Sequence, residues 1–290
     1  MPPILVVGGF GASPGYFSAF AAALRAETGR AVLVLALRHG LSLEDECEHA
    51  LARACASGCL PPAAPPAPPP PAVLLGFSTG CVVAAALAAR YAHRLTCAQL
   101  ILCNPADVMW RMSAPFLRAL VPAAPAPLAR LARHLPLMRR GSGTWGEGLW
   151  RALWPLLGAA WGAAQQCMGP LRCARIYYHL HARHVNEPHA EELSALVFRT
   201  RLADLRTTVV ECLVHASLAA LLRQLQGIRV FIVAGREDFY RHFSCHLAGA
   251  LEHASLHRTR GDHHMLYHHP RECALRVAAL LRGRQRRLSL

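Results

Sequence analysis

The chain has 290 residues, 53% hydrophobic and 17% charged, which excludes a disordered chain and leaves room for one large domain or a core with an insertion. Its formal charge of +14 comes from 31 basic residues, all arginine, spread along the chain without an aromatic-interleaved stripe, so nucleic acid is not expected as a partner. Eleven irregularly spaced cysteines without paired CxxC units exclude a structural zinc pattern. No uncharged apolar run of about 18 residues predicts a membrane span, and MPPILVVGGFGAS lacks a basic leader region, so a reduced, cytoplasmic setting is expected.

Ile4 to Val7 is fully apolar and runs into Gly8-Gly9-Phe10-Gly11, as a buried parallel strand running into a glycine loop would. Apolar residues at helical spacing follow over 14–27, then a second apolar run over 31–37 and a helix over 43–55 that Ser42 or the following acids cap. Residues 61–71 hold eight prolines, which predicts a stiff polyproline-like loop outside any sheet. A strand from 73 ends in Gly76-Phe77-Ser78-Thr79-Gly80 and passes straight into a helix reaching Tyr91. Gln99 to Cys103 is a further strand, ending at Asn104-Pro105. The pattern is helical from 106 to about 228. Strand signals return at 229–234 and, weakly, at 255–260, and a helix over 271–282 closes the chain. Strands alternating with helices predict an α/β fold, with a mostly parallel sheet covered by helices on both faces. Its core spans 1–105 and 229–290, with 106–228 inserted after the fourth strand.

In a parallel sheet the loops at the C-terminal strand ends gather on one edge. Ser78, Asp238 and His263 all fall in such loops. A serine hydroxyl becomes a nucleophile when an imidazole takes its proton and a carboxylate orients that imidazole. Glu237 competes with Asp238 for the acid, as does Asp107 after the fourth strand; His264 competes with His263 for the base.

On these residues the chain resembles the serine hydrolases of the α/β-hydrolase superfamily over nearly its whole length. GFSTG matches G-x-S-x-G, VAGRED the G-x-x-D segment, GDHHMLYHHP the G-x-H segment with its later proline (Pro270), and VVGGFGAS the oxyanion loop. The loop histidine of many relatives is replaced by glycine, the usual aspartate after the second strand is Ala36, and two N-terminal strands are missing. The resemblance implies an esterase or lipase-like enzyme using Ser78, Asp238 and His263, with the N–H groups of Phe10 and Thr79 as oxyanion donors and no cofactor. A thioesterase or acyltransferase would use the same triad. A non-catalytic binding protein on this fold is the alternative from another class.

The insertion corresponds to the family's helical cap. It carries all five tryptophans, of which Trp110, Trp150 and Trp154 are candidates to line an apolar substrate tunnel. Six arginines and no acid lie between Asp107 and Glu147, a solvated face or a surface for anionic lipid, the latter suiting a lipid ester such as monoacylglycerol. His179, His181 and His184 echo a metal motif, but Arg183 stands where its aspartate belongs, and no metal is expected.

Overall fold

A computed structural model of the chain describes residues 1–9, 12–38, 40–61, 68–106, 217–225, 227–238 and 240–283. The described elements, numbered here in chain order, begin with β1 (Ile4–Val7), a short 3-10 turn (Gly15–Phe17), α1 (Ser18–Thr28), β2 (Val32–Leu35), α2 (Leu43–Ala56), β3 (Pro71–Phe77), α3 (Gly80–Arg90) and β4 (Thr96–Cys103). Past residue 216 come α4 (Leu218–Arg223), which falls within the stretch 106–228 expected to be inserted, then β5 (Val230–Gly235), α5 (Arg241–Gly249), β6 (Ala254–Thr259), α6 (Met265–His268) and α7 (Pro270–Leu281). The six strands form one sheet in the order β2-β1-β3-β4-β5-β6, and every pairing is parallel.

The apolar runs become strands because both faces of the sheet are covered. Ile4, Val6, Val73, Leu75, Phe77, Ile101 and Val233 pack on one side with Phe20 and Leu24 of α1 and Val277 of α7. The alternate residues Leu5, Leu74, Leu100, Leu102 and Ile232 are equally buried and point to the opposite face, as strand pleating requires. On that face α3 packs against α2 and α4. Ala84, Ala85 and Ala86 of α3 are all fully buried. Small side chains on every side let that helix lie close under the sheet with helices around it. β6 is an edge strand and largely half-buried, which explains its weak apolar signal.

Two local features depart from the sequence reading. The apolar-periodic segment over 14–27 opens with the 3-10 turn, and α1 proper starts at Ser18. Pro71 is the first residue of β3, in register with Thr96. A proline costs nothing at a strand's first position, where its missing N–H is not called on. The preceding prolines serve as acceptors: Thr96 donates its N–H to the Pro70 carbonyl and its hydroxyl to that of Pro69. Ser42 caps α2 as expected, its Oγ accepting from Asp45 N–H at 3.1 Å.

Candidate active site

The loops after β1, β3, β4, β5 and β6 all leave the same edge of the sheet. The loop after β3 is the tightest. Ser78 has φ of 53°, a left-handed conformation that costs a non-glycine residue about 1–3 kcal/mol. Hydrogen bonds on either side hold it: Ser78 N–H donates to the Cys103 carbonyl, and the Ser78 carbonyl accepts from Cys81 N–H as α3 begins. The flanking glycines are there for space. A Cβ at Gly76 would sit 2.5 Å from Cys81 Cα, and one at Gly80 would sit 2.2 Å from the Gly8 carbonyl oxygen. The serine is therefore held out of the strand-to-helix line because neither neighbour carries a side chain.

His263 Nε2 lies 2.9 Å from Ser78 Oγ, and its Nδ1 lies 3.0 Å from Asp238 Oδ1. Asp238 Oδ1 also accepts from Tyr240 N–H at 3.1 Å. An oxygen that accepts from a backbone donor accepts from the ring as well. Nδ1 therefore carries the imidazole proton, and Nε2 is left to receive the serine proton. All three side chains are buried, with Ser78 8%, His263 5% and Asp238 2% exposed. The Phe77 and Tyr240 ring centroids lie 5.4 and 5.1 Å from that of the imidazole.

Two of the three competing residues are placed elsewhere. Glu237 is exposed. His264 shares a buried 3.0 Å hydrogen bond with the Tyr16 hydroxyl, while its backbone N–H donates to Asp262 Oδ1. Burial above all, with the nearby Asp262 second, lifts the Tyr16 phenol well above its usual range, so it stays protonated. Asp107, Trp110, Trp150, Trp154 and the His179–His184 motif lie outside the described residues, as does Phe10. Thr79 is buried at the start of α3, and Gly9 lies against the serine: a Cβ on Gly9 would come within 2.8 Å of Ser78 Cβ.

The glycines of the acid and base segments have the same kind of origin. Gly261 has φ of 109°, open only to glycine, and its carbonyl would lie 2.4 Å from a Cβ on Gly235. The two turns touch backbone to backbone, with Glu237 N–H donating to the Gly261 carbonyl at 3.0 Å. Beneath them lies Asn104, which the sequence marks only as a strand end. It is fully buried with φ of 45°, and its side chain bonds both turns. A polar Asn just after a buried strand, in front of Pro105, was the available signal.

Among the described residues no group of three His, Cys, Asp or Glu side chains is placed to hold a metal, and no helix is long and apolar enough to cross a membrane. The eight described cysteines are all free thiols, and burial drives those of Cys81 and Cys103 well above the usual range.

Comparison with solved structures finds this architecture in the α/β hydrolases. A hydrolase from Oleispira antarctica superposes with a TM-score of 0.64 at 11% identity, covering 98% of this chain and 92% of that one. A thermophilic esterase from Thermogutta terrifontis gives 0.61 at 16%, covering 98% and 90%. A membrane phospholipase A described as a bacterial virulence factor gives 0.59 at 18%, covering 97% and 79%. No protein-family model matches the chain, and no curated protein does. The protein has the α/β-hydrolase fold.

Proposed function

We propose that this protein is a serine hydrolase of hydrophobic carboxylic esters. The observation that carries the reading is the unbroken run of hydrogen-bond distances from Ser78 through His263 to Asp238. His263 Nε2 takes the hydroxyl proton as Ser78 Oγ bonds to the ester carbonyl carbon. The imidazolium then returns that proton to the departing alkoxide, leaving an acyl-serine. Water attacks the acyl group by the same route and frees the acid. Asp238 holds the imidazole in the required tautomer and stabilises its charged form. The N–H groups of Phe10 and Thr79 are our candidates for the oxyanion donors, Thr79 being at the start of a helix whose dipole favours negative charge.

The esterase and the phospholipase among the structural neighbours support ester chemistry. Within it we favour lipid esters, with Trp110, Trp150 and Trp154 lining the acyl path and the arginines over 111–140 resting on anionic lipid. The free thiols suit a reducing, cytoplasmic compartment.

Labelling with a broad fluorophosphonate probe, followed by peptide mapping, tests the proposal without a guess at the substrate. The expected result is covalent modification at Ser78, abolished in Ser78→Ala. A folded wild type that resists the probe rejects the hydrolase reading and leaves a ligand-binding protein on a hydrolase fold.

A further inference from the structure

Asp238 and His263 belong to different loops, and among the described residues no disulfide holds those loops in register. Asn104 bridges them. Its Nδ2 donates to the carbonyls of Asp262 and His263, each at 2.9 Å, and its Oδ1 accepts from Gly235 N–H at 2.8 Å. The amide orientation follows from the partners, since two carbonyls need donors and one N–H needs an acceptor. Asn104 N–H is tied in turn to the Val233 carbonyl of β5, 2.9 Å away. One fully buried side chain at the end of β4 thus grips the peptide of the base itself and the glycine that opens the acid turn.

The strand ends on an unusual conformation to achieve this. With φ of 45°, Asn104 lies in the left-handed region, where asparagine is among the few residues tolerated. Neighbouring Ser78 has the same hand of strain, and its N–H is held by the carbonyl of Cys103, the residue just before Asn104. The end of β4 therefore touches all three parts of the site through backbone or side chain.

We infer that Asn104 is a positioning residue for the proposed reaction, setting the separation between Asp238 and His263 on which proton transfer from Ser78 depends. The inference rests on the serine-hydrolase reading for its effect on rate, though not for its effect on geometry. Without the amide, the carbonyls of Asp262 and His263 and the Gly235 N–H each lose the bond it supplies, the Asp262 carbonyl keeping Met265 N–H at 3.3 Å, and the base loop loses its register with the acid turn. Displacements on the order of 1 Å at a reacting group cost about 100-fold in rate.

Two variants separate position from folding. Asn104→Gly accepts the left-handed backbone and removes every side-chain bond. Asn104→Asp keeps an acceptor for Gly235 N–H but turns an oxygen onto two carbonyls. For each, three quantities are measured: the rate of fluorophosphonate labelling at Ser78, the downfield proton resonance of the His263 Nδ1–H bonded to Asp238, and the thermal transition. We expect both variants to unfold cooperatively, to label about 10- to 100-fold more slowly than wild type, and to lose or shift the downfield resonance. Wild-type labelling rates, or an unchanged resonance, overturn the assignment. So does loss of the cooperative transition in both variants, which makes Asn104 a residue of the fold alone. If the wild type does not label, the hydrolase reading fails by itself, and the resonance still decides whether Asn104 sets the Asp238–His263 bond.

Discussion

The serine half of the candidate site and the aspartate–histidine half are built in opposite ways. The elbow is local: five consecutive residues, Gly76 to Gly80, contain the strain, the serine and the space that lets β3 turn into α3. The aspartate–histidine half is joined by one buried amide that bonds residues 131, 158 and 159 positions from Asn104, in turns that follow β5 and β6. Steric need writes itself into neighbouring positions as glycine. Long-range register leaves only a faint trace, one polar residue just after an apolar strand. If that contrast is right, breaking the first half should upset packing, and breaking the second should upset chemistry with little loss of fold.

The largest effect expected is on chemistry. In Asp238→Asn the hydrogen bond that fixes the His263 tautomer is lost or reversed, and fluorophosphonate labelling at Ser78 should fall by about 10⁴-fold while the thermal transition moves little. Glu237→Gln, one residue away but exposed, should label near the wild-type rate. Equal losses in the two variants would mean that the carboxylate acts through general charge, not through the ring nitrogen.

Next comes the elbow. A methyl on Gly80 would meet the backbone carbonyls of Gly8 and Val7 at 2.2 and 2.4 Å, and neither can rotate away. Gly80→Ala should destabilise by about 2–3 kcal/mol through overpacking, lowering Tm by roughly 4–10 °C. A methyl on Gly249, at the end of α5, would have nothing within 4 Å, so Gly249→Ala should be neutral or slightly stabilising. Thermal unfolding of the pair distinguishes a glycine required by contact from one that is not; matching Tm values would remove the steric account of the motif.

The same contrast explains how much of the molecule is legible in its sequence. The strands β1, β3 and β5 are evident because a doubly covered parallel strand is apolar throughout, and Ser78, Asp238 and His263 because glycine marks each turn. Asn104 is not, since its role consists of contacts with residues that only the fold brings near. Pro71 departs from expectation by one position, because the rule against proline in sheets does not reach a strand's first residue. Glu46 reads as one of the acids that cap α2. Yet Leu43, Cys47, Ala50 and Ala54 mark that helix's buried stripe, and Glu46 falls within it at helical spacing, so its burial is present in the pattern, hidden by its charge.

Glu46 offers the smallest effect and the least expected. It is 2% exposed, with Oε1 lacking a hydrogen-bond partner among the described residues, beside a cavity of about 10 Å³ lined by Val7, Leu35, Ala36, His49 and Val83. Burial raises its carboxyl from 4.5 to about 7, against the opposing pull of Arg38, whose backbone and charge both favour the ionised form; Asp45 adds a smaller push upward. The unfolded chain holds this proton less tightly than the folded one. Glu46 therefore contributes stability below pH 4.5 that is lost progressively as pH rises to about 7. Glutamine mimics the protonated form at every pH. Glu46→Gln should match wild type at low pH and exceed it by about 1–2 kcal/mol once the carboxyl has ionised, as read from denaturant midpoints on either side of that window. Labelling of Ser78 should not change between the two proteins. Parallel stability curves would mean that water reaches Oε1 and relieves the burial, and this buried acid would then have no more influence on the fold than an exposed one.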